Sequence, residues 1–290
     1  MGPRTIILTD QRAIVEFISF LNAHEKGAGR ILRSFWNGQR EDMTAGVAKR
    51  IIENGHSIPQ DVIDSWARDI KDFVGRKMVD IYQDALEFSG SRMAGRINRS
   101  RKQEFEFNKV SSNILAWMNE HGGELIVQLT AGQYKTINAL LQHQVFQGIT
   151  SPYVMAQRLK PLIPLLKRDA LAVTKLYGEL TRAGLGQEVI ARQTAKYADY
   201  LLRNRAMLIA RTELSGAYHE GQLQSVRQAV ESGYVDGEPR KTWLCGPDPC
   251  PDCEEVDGEE VGLEDVFSNG YDSPPAHPGC RCDVVYSIRR

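Results

Sequence analysis

The first 244 residues of this 290-residue chain contain no cysteine; all five fall between Cys245 and Cys282. No run approaches the roughly 18 apolar residues that cross a bilayer, so neither a membrane-spanning helix nor a membrane partner is expected. The opening stretch, MGPRTIILTDQRAIVEF, lacks a long apolar core followed by a small-residue cleavage site, and no secretory leader is expected. Ile6 stands where a myristoylation site needs Ser or Thr. An excess of one charge is missing as well. Lys and Arg number 36 against 37 Asp and Glu, so nothing in the overall balance marks a polyanion-binding protein. P-loop, glycine-rich dinucleotide fingerprint and Ser/His/Asp series are all absent from the sequence, which gives no convincing catalytic constellation. The expected compartment is reducing, where clustered cysteines hold metal more often than they form disulfides.

Most of what is present reads as helix. TDQRAIVEFISFLNAHEKG offers Asp10 as a cap and apolar Ile14, Phe17, Ile18 and Leu21 at helical spacing. A second pattern runs through Val62, Trp66, Ile70, Phe73 and Ile81, with Pro59 near its start. Thr130 and Gln133 make a capping box, and Pro152 sits just inside a helix start, where its missing N–H costs nothing. Pro161 and Pro164 end that helix and mark the expected boundary between a helical region, 1–164, and a second region, 165–290. Three further helices are expected near 165–183, 186–197 and 199–232, the last stopping at Gly233. Trp36, Trp66 and Trp117 fall on apolar stripes and read as core. His24, His56, His121, His143 and His219 are scattered and suggest no site.

After Gly233 the composition changes. Residues 234–290 hold seven of the twelve prolines and have no helical period. Short β-prone runs appear at 241–244 and 282–288. A stretch this short, poor in large apolar residues, needs a staple. Cys250 and Cys253 form C-x2-C, and His277, Cys280 and Cys282 form H-x2-C-x-C. Two such short pairs can meet one ion as a tetrahedron, with Pro249, Pro251, Pro278 and Gly279 pre-setting tight turns. Cys250 and Cys253 are the firmest pair, followed by Cys280; His277 and Cys282 compete for the last position. Cys245 is the outlier. Free thiols or disulfides are the alternatives to a structural Zn2+. The nine acidic and no basic residues of 247–265 read as a solvated loop.

IARTELSGAYHEGQL (209–223), then KTW (241–243), CPDC (250–253), DG (257–258), FSNG (267–270) and PPAHPGCRC (274–282), resembles the phage head morphogenesis family. Its members are minor head proteins similar to the Mu F protein and the SPP1 minor capsid protein. The likeness covers roughly 165–290. It implies a non-enzymatic structural protein of a tailed phage or prophage, placed in the virion near the portal. It also implies portal, capsid or scaffold proteins as partners, with packaged DNA as a further candidate. The residues it carries over are Arg211, Thr212 and Glu213 on the long helix, Lys241 and Trp243 on the strand entering the knuckle, and the set Cys250, Cys253, His277, Cys280 and Cys282.

The expected fold is therefore mainly α, with a helical N-terminal region followed by a small α+β zinc-knuckle-like module. Arg211 and Glu213 are two apart on a helix and cannot pair with each other, so both are expected to tie the helix to the cysteine module. Arg92, Arg96, Arg99, Arg101 and Lys102 form a run of five basic residues without an acidic one, a candidate surface for DNA or an acidic portal. The competing functional readings are a zinc-dependent nuclease or hydrolase and a nucleic-acid-binding zinc module. The first would need an open metal position with a nearby base, and the second a basic knuckle.

Overall fold

A computed structural model describes residues 5–7, 12–99, 104–121, 135–142, 146 and 148–289. The Asp10 cap, the Thr130/Gln133 capping box, His143, Arg101 and Lys102 lie outside them. Strand β1 (Thr5–Ile7) is followed by α1 (Arg12–Asp42), α2 (Ala45–Glu53), α3 (Gln60–Phe73), a π turn (Val74–Met78) and α4 (Val79–Asn98). Next come α5 (Ser112–His121), α6 (135–141), α7 (Pro152–Leu159), α8 (Lys167–Arg182) and α9 (Gln187–Glu231). The tail holds β2 (Glu238–Leu244), a single turn α10 (Pro251–Glu254), β3 (Glu260–Gly262) and β4 (Asp283–Arg289). The protein is mainly α with a small antiparallel sheet at its C-terminal end, as the sequence pattern indicates.

Local signals fix several helix ends. Ser151 caps α7 through its side chain, with Pro152 in the first turn. At the end of α9, Gly233 adopts φ 70°. Its N–H reaches Val230 O and that of Tyr234 reaches Ala229 O, the paired bonds of a Schellman stop. The break expected near residue 198 does not occur. Residues 187–231 form one 45-residue helix, because nothing between Ala195 and Leu202 is Gly or Pro and buried Ala198 and Leu202 continue the apolar stripe.

The chain forms two compact units built from separated stretches. The first comprises Met1–Gly27, Met78–Gly122 and Leu208–Arg290; the second comprises Ala28–Lys77 and Gly123–Met207. Pro161 and Pro164, expected at a boundary, fall inside the second unit. That unit packs Leu32, Trp36, Ile51, Trp66, Ile137 and Leu202 into its interior. The Arg205 guanidinium lies 4.8 Å over the Trp36 ring. Burial lowers its pKa to about 10, so it remains charged at neutral pH.

The first unit carries the sheet, in the order β1-β4-β2-β3 with every pair antiparallel. β2 and β4 pair over seven residues, from Glu238 opposite Arg289 to Leu244 opposite Asp283. One face of β2 buries Lys241 and Trp243. Trp243, with Val284, Tyr286 and Ile288 of β4, joins Met93 and Ile97 of α4 and Leu223, Val226 and Ala229 of α9 in one core. The tail is thus not a free-standing module: the helices supply the apolar surface that its own sequence lacks.

Candidate metal centre

The sheet register creates the site. Since Leu244 is opposite Asp283, the residues just beyond the ladder, Cys245 and Cys282, leave the same end of the sheet. A Cβ at Gly246 would lie 2.2 Å from Arg281 O, so only glycine lets the two cysteine-bearing segments run this close. Each segment then turns tightly. The N–H groups of Cys253 and Glu254 both donate to Cys250 O at 3.0 Å, folding C-x2-C around its own backbone. The N–H of Cys280 donates to His277 O at 3.1 Å, and Gly279 takes φ 81°.

Two donor groups result. Cys250, Cys253 and His277 bring their ligand atoms within 4.8 Å of one another, and so do Cys253, Cys280 and Cys282. Cys253 belongs to both. Its Sγ lies 3.9 Å from Cys280 Sγ, close to the edge of about 3.8 Å that a tetrahedron has when zinc–sulfur bonds are about 2.3 Å. A disulfide would need about 2.05 Å, and all five cysteines are free thiols. His277 Nδ1 faces Pro278 O at 3.2 Å.

Burial and mutual contact hold the cluster's thiols in their neutral form. Burial, then neighbouring Cys280, pushes the Cys253 thiol well above its usual range. The hydrogen bond with Cys282, then burial, does the same to Cys280. Left alone, these thiols stay protonated, whereas a divalent ion would compensate the thiolates. The residues present can therefore hold a metal ion. Cys245 belongs to neither group. Its Sγ donates to Cys253 O at 3.0 Å, its N–H donates to Asp257 Oδ1 at 2.8 Å, and burial raises its pKa to about 11.

The long helix braces the cluster, though not as the sequence suggested. Arg211 pairs with Glu25 of α1 through two bonds, at 2.7 and 3.2 Å, while also lining a cavity of about 190 Å³ beside Cys250, His277 and Cys282. Glu213 accepts from the Tyr82 hydroxyl at 2.7 Å. None of these three bonds reaches the cysteine segments. The tie is Thr212, whose Oγ1 accepts from the Gly279 N–H at 2.9 Å and donates to Leu208 O at 2.8 Å. Charge drew attention to Arg211 and Glu213, yet a neutral hydroxyl serves here because the donor it meets is a backbone amide.

Lys241 and Trp243, carried over from the resemblance, are both fully buried. Lys241 pairs with Asp272 and lies 5.6 Å from the Phe267 ring centroid. Trp243 meets the same ring edge-on at 5.1 Å. Of the basic run, Arg92 and Arg96 converge on Glu16, at 3.0 and 2.5 Å, and only 10% of the Arg96 side chain is exposed. Arg99 is exposed.

One polar cluster has no counterpart in the motif reading. His219 Nε2 lies 3.1 Å from Asp283 Oδ1, and His219 Nδ1 lies 2.8 Å from Ser215 O. The Ser215 hydroxyl is 3.4 Å from the same Nδ1. Ser215, His219 and Asp283 are all sealed from solvent, so this Ser/His/Asp grouping braces the helix against β4 and offers no surface to a substrate. The available signals were modest: Ser215 and His219 are four apart on one helix, and Asp283 directly follows Cys282. Trp117 differs in the other direction, being partly exposed rather than core.

Residues 173–285 match the family described as Phage Mu protein F like protein. The matched stretch contains Arg211 to Glu213, His219, Lys241, Trp243, every candidate ligand and Asp283. No curated protein and no solved structure matches the chain.

Proposed function

We propose, from the match of residues 173–285 to the phage Mu protein F like family, that the chain is a minor head protein of a tailed phage or prophage. In this reading it acts without catalysis at the portal and the capsid interior. Its partners are portal, capsid or scaffold proteins, with packaged DNA nearby. The observation that carries the reading is the cysteine cluster inside the matched segment, joined through Thr212 to the helix that bears IARTELSGAYHEGQL.

The same reading assigns a structural zinc ion to the cluster. Cys253, Cys280 and Cys282 would hold it, with the fourth ligand from Cys250 or His277. Bound there, the ion supplies a cross-link between the two turns. The chain's own residues do the rest. The β2–β4 ladder aligns the segments, Gly246 allows their approach, and α4 and α9 cover the apolar face. The outcome is a rigid surface that a larger assembly can grip.

Quantitative mass spectrometry of purified heads from the encoding phage tests the proposal. The chain is expected at a few copies per head, co-purifying with portal complexes. Its absence from heads that assemble and package normally would overturn the reading.

A further inference from the structure

A groove between α5 and the C-terminal part of α9, of about 480 Å³, is lined by none of the cysteine-cluster residues. Its lining carries the carboxylates of Glu120, Glu220, Glu231 and Glu264 against one cation, Arg227, which Glu264 already binds at 2.9 and 2.5 Å. Glu264 belongs to the stretch 247–265, with nine acidic and no basic residues, so the negative field extends beyond the groove.

A second observation points to a ligand. Gln224 lines the same groove and is 3% exposed. Its Nε2 donates to Glu220 Oε1 at 2.8 Å, which fixes the orientation of the amide. The Gln224 Oε1 is then a buried acceptor with no hydrogen-bond partner among the described residues. A buried carbonyl in this state favours any donor that reaches it. Trp117 adds an aromatic wall.

We propose that this groove docks an arginine-bearing segment of a partner protein. A guanidinium presents several donors in one plane, so it can meet Gln224 Oε1 and a carboxylate together while stacking on Trp117. An ammonium lacks the planar fork, and a nucleic acid would be repelled. The inference goes beyond the head-protein reading and does not rest on it.

The test titrates the full chain with the capped peptide acetyl-Ala-Arg-Leu-Arg-Ala-Arg-amide, using calorimetry and tryptophan fluorescence. Trp36, Trp66 and Trp243 are buried, so a ligand-dependent change reports on Trp117. Binding is expected, weakened about tenfold or more by Glu120→Gln with Glu231→Gln. Gln224→Leu, which leaves the charge unchanged, should weaken it about tenfold. Gln224→Glu should tighten it, which keeps the test decisive if the leucine variant folds poorly. Glu53→Gln with Asp64→Asn, the same charge change on α2 and α3, should alter affinity less than about threefold. Equal weakening by the two double variants would overturn the proposal. So would parental affinity in the folded Gln224→Leu protein, equal binding of the same peptide with lysine in place of each arginine, or tighter binding of a DNA duplex.

Discussion

His219 and Asp283, 64 positions apart in the chain, meet at 3.1 Å with neither side chain exposed to solvent. His219 Nδ1 faces Ser215 O at 2.8 Å, so the ring is held between the helix carbonyl and the Asp283 carboxylate. Asp283→Ala leaves the imidazole without that partner where no solvent can replace it. The expected loss is about 3–5 kcal/mol in urea denaturation, the range for breaking a buried pair. A double-mutant cycle with His219→Ala should return a coupling above about 1 kcal/mol; additive losses would show that the contact contributes little.

Thr212→Val keeps the shape of the side chain but removes both of its hydrogen bonds. The Gly279 N–H then loses its acceptor, at an expected cost of about 1–3 kcal/mol. Amide exchange at Gly279 should accelerate in the variant. Unchanged exchange there would show that the hydroxyl does not tie helix to knuckle.

The metal proposal separates the five cysteines. Cys253 serves both donor groups, so Cys253→Ser is expected to bring zinc from about one equivalent to near zero by elemental assay. Cys245→Ser should keep the full equivalent, because Cys245 is in neither group. If the parent protein, prepared with zinc supplied, contains none, the structural-ion assignment fails.

Lys241 and Asp272 predict an asymmetry. The lysine side chain is fully buried, while that of Asp272 is 45% exposed. Removing the carboxylate with Asp272→Ala strands a buried ammonium and should cost about 3–5 kcal/mol. Lys241→Met leaves an aspartate that water can rehydrate, and should change stability by only about 1 kcal/mol or less. Equal losses from the two variants in chemical denaturation would contradict this account.

Several features were legible because they depend on neighbours in sequence. The Schellman stop at Gly233, the Ser151–Pro152 helix start and the two cysteine turns each involve residues within about five positions. The Cys/His set is read in this way too; in the structure Cys250, Cys253 and His277 approach one another, as do Cys253, Cys280 and Cys282. The single helix at 187–231 reads as two in the sequence because the stripe rests there on the small Ala198, which packing buries completely. The partners of Arg211 and Glu213 were misplaced for a different reason. Charge pattern shows that a side chain needs a partner but not which of many distant carboxylates or hydroxyls will be brought beside it.

The sequence by itself determined the mainly helical character, the proline-rich tail and the donor chemistry of the cluster, since backbone preference and ligand type are written into each short segment. Only the tertiary structure decided that Arg211 meets Glu25 across 186 residues, that Thr212 holds Gly279, and that His219 meets Asp283. It also decided that β1 adds to the far edge of the sheet and that each compact unit is assembled from separated stretches. Those pairings follow from burying one apolar face against another. That minimum belongs to the whole chain, and no local window contains it.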